Sequence, residues 1–161
     1  MGKLVKPENA LKKKVGTGGF NETDLVRAQQ GIDNNKIDFR PLGFDLLKEL
    51  GVAIADVTKG PYANKSDEEK FSVLMYPLMQ LKSQGGLFQY PLVSSISHVT
   101  LDFLENIKSV DADVIAIVAA YQKSVQAILT LEMKNDTHPV GKQLLEEMRS
   151  VFARYRKSRG I

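Results

Sequence analysis

Along most of this chain, apolar residues recur at intervals of three and four, the spacing that gathers them on one face of an α-helix. Six such segments follow one another. The first opens at Asn21, whose side chain suits an N-cap, and sets Leu25, Ala28 and Ile32 on one face before ending near Asn34-Asn35. The second runs from about Phe39 to Thr58, with Pro41 in its first turn, where a missing N–H costs nothing. Its stripe is Leu46, Leu47, Leu50, Ile54 and Val57, and Gly51 inside it costs about 1 kcal/mol relative to Ala. Gly60-Pro61 marks a loop, and Ser66 with Glu69 then forms a capping box. That box opens a third helix carrying Phe71, Leu74, Met75, Leu78 and Leu81 on one face. Pro77 removes a hydrogen bond to the Val73 carbonyl and is expected to bend this helix.

The stretch Met75 to Pro91 reads as the end of the third helix, a tight corner at Gly85-Gly86 and a restart on Phe88 and Tyr90. The fourth helix starts near Phe88 with Pro91 in its first turn, and its spacing buries Leu92, Ile96, Val99, Phe103 and Ile107. Asp111 or Ser109 caps a fifth, from about Ala112 to Met133, bearing Val114, Ile117, Val118, Tyr121, Val125 and Ile128. Thr137 caps the sixth, with Pro139 early and Leu144, Met148, Val151 and Tyr155 on its face, before it frays over residues 154–159. No segment alternates with period two for long enough to propose a strand, and no internal repeat appears. The pattern predicts an all-α bundle, with the last four helices as its core and the first two packed as an N-terminal extension.

Composition narrows this picture. At 161 residues, 43% apolar and 25% charged, the chain suits one globular domain, placed at residues 21–161 behind a flexible basic arm at 1–20. No run of about 18 apolar residues predicts a membrane span, and the N-terminus lacks the apolar core of a secretion signal. A cytoplasmic setting is expected. With no Cys there is neither a disulfide framework nor a thiolate site. The net charge of +3 comes from the ends. Residues 1–14 hold five Lys against Glu8, and residues 149–161 hold five Lys or Arg and no acid. Between them stand 12 basic and 18 acidic residues, a net of −6, so the body is mildly acidic and no nucleic-acid partner is expected. The basic ends read as solvated tails. Gly16-Thr17-Gly18-Gly19 lacks the preceding strand and the Gly-Lys-Ser/Thr ending of a phosphate loop.

On the third helix, Met79, Lys82, Ser83 and Gly86 share a face about a quarter-turn from the leucine stripe, with Tyr76 one turn before them. Leu81-Lys82-Ser83-Gln84-Gly85-Gly86 resembles the segment after the phosphorylated histidine in histidine-containing phosphotransfer domains, whose motif is H-x-L-K-G. The continuation Phe88-Gln89-Tyr90-Pro91-Leu92 resembles that of proteobacterial members, as do Leu11 to Gly19 and the turn Asp136 to Gly141. The resemblance implies a four-helix bundle of the phosphotransfer type, here with two extra N-terminal helices. In it Gln80 is the x, Ser83 stands where Gly is usual, and the histidine position is Met79. An imidazole nitrogen accepts a phosphoryl group, whereas a methionine thioether forms no stable adduct. The resemblance thus implies a non-phosphorylatable binding module rather than an enzyme. Its partner would be a response-regulator receiver domain or a histidine kinase, docked on the Tyr76, Met79, Lys82, Ser83 and Gly86 face without a cofactor.

Two alternatives stand beside this. His98 lies off the fourth helix's apolar stripe, with Ser94, Ser95, Asp102 and Glu105 around it, and is a rival phosphoryl acceptor. Asp102 four residues on favours an imidazolium, but occupies the place where a small residue is wanted. An ordinary surface histidine is the plainer reading. The second alternative is a helical scaffold or assembly protein, in which Met79 is packing and the glycine pair a mere turn. His138, between a cap and a proline, needs only a turn role. Two histidines so placed make no metal site, and no Glu-x-x-His pair of a di-iron bundle is present.

Overall fold

In the computed structural model, which describes residues 22–34, 37–135 and 137–161, the six periodic segments are six α-helices, and no described residue lies in a strand. They are α1 (Glu22–Asn34), α2 (Arg40–Thr58), α3 (Asp67–Leu87), α4 (Pro91–Glu105), α5 (Ala112–Thr130) and α6 (Pro139–Arg159). The fold is all-α, as the spacing predicts. The chain divides into two units, Met1–Ile37 and Asp38–Ile161. In the first, every residue from Glu22 to Gly31 is exposed, including Leu25 and Ala28 of the expected apolar face. The Asn21 cap, the arm at 1–20 and Asp136 of the expected turn lie outside the described residues.

In the second unit α2, α3, α4 and α5 close a ring, each packed on the next and α5 returning to α2, while α6 lies against α4 and α5. This corrects the expected arrangement. The helix assigned to an N-terminal extension is a wall of the core, with Leu50 fully buried, and α6 is the addition. Gly51 has a reason to be there. A Cβ on it would stand 3.1 Å from Nε2 of Gln122, which donates 2.8 Å to the Leu47 carbonyl and joins α5 to α2.

Side chains settle where the helices start. Ser66 and Glu69 form the full capping box on α3, and this holds the Glu69 carboxyl below its usual range, the Ser66 backbone N–H being the larger cause. Asp67 then accepts from the Val110 backbone at 3.0 Å and ties the start of α3 to the α4–α5 loop. Asp111 is the α5 cap, at 2.9 Å from the Val114 N–H. Thr137 is not the α6 cap: His138 holds that position without a side-chain bond, and the Thr137 hydroxyl donates to Asn135. Pro139 opens that helix as expected.

The core is apolar except for a satisfied polar thread. Ser97 and Thr100 donate to the carbonyls of Val93 and Ile96, each at 2.7 Å, and the Ser97 hydroxyl lies 2.6 Å from the Tyr121 hydroxyl. Burial pushes the Tyr121 phenol far up, a shift its bond to Ser97 only tempers. All six expected residues of α5 are buried. On α6 the buried residues are Gly141, Leu145, Met148, Phe152 and Tyr155, whereas Leu144 and Val151 are half-buried, so its face is turned from the expected one. The cause is aromatic. Phe152 stacks on Phe103 at 4.5 Å, and Tyr155 meets Phe103 edge-on at 5.3 Å.

The C-terminal stretch does not fray. The Tyr155 hydroxyl donates to Asp111 at 3.0 Å, and Arg159 reaches Asp111 and Asp113, both at 2.9 Å. The helix ends at Gly160 in the left-handed region, φ 70°. By length and composition α5 could cross a bilayer, with mean hydropathy 1.2, but its apolar arc faces the bundle core, which is compatible with a soluble protein.

Candidate functional site

The glycine pair is no corner. The helix α3 continues through Pro77, which is buried, and through Gly85 and Gly86 to Leu87. The turn falls at Phe88, Gln89 and Tyr90, with Gln89 at φ 64°. The Tyr90 N–H closes it by donating to the Gly85 carbonyl at 2.7 Å. Glycine at 85 serves close packing instead. A Cβ there would lie 3.1 Å from Cβ of Val93, tighter than side chains ordinarily pack, so Gly85 lets the ends of α3 and α4 approach. At Gly86 a Cβ would meet only Ser94, its Oγ at 3.5 Å and its Cβ at 3.9 Å, which is ordinary contact.

The aromatics after the pair are structural. Phe88 stacks on Phe39 at 6.0 Å, Tyr90 lies 5.4 Å from Phe39, and Lys134 sits over the Tyr90 ring. These contacts fasten the turn to the start of α2. Pro91 begins α4, and the Leu92 N–H donates to the Lys134 carbonyl at 3.0 Å. Phe88, Tyr90 and Pro91 therefore build the hairpin rather than an exposed site. Leu81 is fully buried, and Gln84 is half-buried.

The motif face itself is open. Tyr76 is 60% exposed, Met79 55% and Leu87 71%. Ser83 and Gly86 are exposed beside them, and Lys82 is half-buried. The separation of this face from the Leu74, Leu78 and Leu81 stripe follows from helical spacing, and the packing keeps it.

Between α3 and α4 lies a groove of about 780 Å³. The α3 wall is Met79, Lys82, Ser83, Gly86 and Leu87. The α4 wall is Ser94, His98, Leu101, Asp102 and Glu105. A continuation of about 330 Å³ runs from Lys82 and His98 to Pro91 and Ser95. With Gly86 set against Ser94, four residues back along α3 and four forward along α4 bring Lys82 opposite His98, and Met79, three residues further back, lines the groove with Leu101 and Asp102. The face around Met79 and the rival His98 are thus two walls of one site. Tyr76 lies outside the groove lining, one turn beyond Met79. Leu87 is the member that the sequence reading missed, because the helix was expected to stop before it.

Among the described residues, the side chains of Lys82, His98, Asp102 and Glu105 are in no ion pair. No group of three or more His, Asp or Glu among the described residues converges on a metal position. His138 sits exposed at the α6 start, away from the groove lining. What the groove offers is an apolar α3 wall, one ammonium, one imidazole and two carboxylates. Compared with protein-family models, with curated proteins and with solved structures, the chain matches none.

Proposed function

We propose that this bundle is a phosphotransfer-like domain that carries no phosphoryl group at Met79 and binds a two-component signalling partner as adaptor or modulator. The partner is a response-regulator receiver domain, or a histidine kinase, in a bacterial cytoplasm. The observation that carries this reading is the exposure of Met79 at 55%, beside Lys82 and Ser83, on the rim of an open groove. A methionine there serves as an adaptable apolar contact, since its thioether is flexible and polarizable. A scaffold whose Met79 face is internal packing would bury that side chain. The test is capture of purified receiver domains from the source cell by the full chain and by Met79→Glu. The variant should lose capture while its thermal midpoint stays nearly constant, exposed substitutions costing within about 0.5 kcal/mol. If it unfolds, Met79 is structural and the docking reading is wrong.

A second reading is favoured by one observation: His98 lines the same groove as Lys82. In a working relay through His98, an imidazole nitrogen would attack the phosphorus of a receiver's aspartyl phosphate. The P–O bond would break and the aspartate leave as a carboxylate. Asp102 and Glu105 stand on the same wall and oppose an incoming phosphoryl group. Incubation with a phosphorylated receiver should leave His98 unmodified. Phosphohistidine at position 98, found by mass spectrometry under alkaline conditions, would replace the first reading with this one.

A further inference from the structure

The groove is charged in a definite order along its length. Near the α3–α4 turn stand Lys82 and His98 with Ser94 and Ser95, and no carboxylate lines that part. Toward the other end stand Asp102 and, one turn further along α4, Glu105, both exposed and both in no ion pair among the described residues. Opposite them the α3 wall is apolar, through Met79, with Leu87 exposed at the turn end and Leu101 buried in the floor. Two carboxylates left beside an apolar rim call for a cation from outside, and a cation docking at the turn end would meet Lys82 instead.

We propose that the groove takes an amphipathic helix of the partner, with its apolar stripe on Met79 and Leu87 and an arginine or lysine on the flank that faces Asp102 and Glu105. This rests on the docking reading above and adds the chemistry and the direction of the occupant. A cleft between two antiparallel helices accepts one face of a third, and anchors spaced by three and four residues fill it. The carboxylates fix the orientation: the occupant's basic flank lies at the far end and stays clear of Lys82. Charge of this kind sets specificity and encounter rate more than bulk affinity.

The test uses two fluorescent helical peptides with the same leucine stripe, one with arginine and one with glutamate on the flanking positions. Binding is read by anisotropy against the full chain and against a double variant, Asp102→Lys with Glu105→Lys. Both sites are exposed, so the variant should keep the wild-type thermal midpoint. The arginine peptide should bind the wild-type chain roughly tenfold or more tightly than the glutamate peptide, the order should invert on the double variant, and the difference should shrink at high salt. Equal binding of the two peptides, or binding of neither, overturns the proposal. So does self-association of the full chain that the double variant abolishes, since the occupant would then be a second copy. Receivers captured equally by wild type and double variant would sink this inference and leave the docking reading intact. Arginine-peptide binding without receiver capture would do the reverse.

Discussion

At the scale of single residues, two neighbouring glycines divide the work of the motif. Gly85 has little room for a methyl group, which would press on Val93, while Gly86 has room for one against Ser94. Gly86→Ala should be neutral or stabilising by up to about 1 kcal/mol, the helix preference for alanine. Gly85→Ala gains the same preference but overpacks a buried contact, which typically costs about 1–3 kcal/mol. A net loss is expected at 85 alone. Denaturant midpoints of both variants check this, and equal midpoints would mean that Val93 yields freely and glycine is not required there. Met79→His asks a chemical question of the same wall. The new imidazole would be exposed beside Lys82 and Ser83, so some phosphoryl acceptance from a compatible receiver is expected, weak because Ser83 replaces the usual glycine. A phosphoramidate signal absent from Met79→His, with the fold intact, would show that position and charge alone do not restore the chemistry.

At the scale of helices, one carboxylate holds two of them. Asp111 caps α5 through the Val114 N–H and receives the Tyr155 hydroxyl and Arg159 from the end of α6. Asp111→Ala should cost about 1–3 kcal/mol, a lost cap together with a lost hydrogen bond to a buried phenol. It should also quicken tryptic cleavage after Arg154 and Arg156. Limited proteolysis read by mass spectrometry checks this, and an unchanged cleavage rate would show the α6 end to be held by aromatic packing alone. Stripes legible in the sequence were those whose whole inward arc is apolar, as in α5, where all six expected residues are buried. Periodicity names a face but not the neighbour it meets. That is why α2 looked like an extension, and why the α6 face turned toward Phe103. The exposure of Met79 was legible too, since its place off the leucine stripe is fixed by spacing alone. The joining of Met79 and His98 in one groove was not, because it depends on the hairpin register, and the glycine pair looked like the turn.

At the scale of the whole molecule, the bundle closes over one ionisable group at its centre. Tyr121 is fully buried, and its hydroxyl touches only the Ser97 hydroxyl among the hydrogen-bonding groups described. Burial raises its phenol well above the ordinary 10.0, and Tyr155 is raised too, by burial first and then by Asp111. A raised phenol keeps its proton in the fold while the unfolded chain releases it. The stabilisation is therefore whole below about pH 10 and declines as pH rises toward the folded value. Each such group contributes a slope of at most about 1.4 kcal/mol per pH unit in that window. The denaturant midpoint should thus hold to about pH 9 and fall steeply by about pH 11. Tyr121→Phe isolates the central group. Ser97 keeps its bond to the Val93 carbonyl, so at neutral pH the variant should lose only about 1 kcal/mol, a single hydrogen bond. Above pH 10 its curve should be visibly flatter than wild type, and the two should converge or cross. Parallel curves across the window would mean that Tyr121 does not carry the alkaline loss, which would then belong to other groups such as Tyr155.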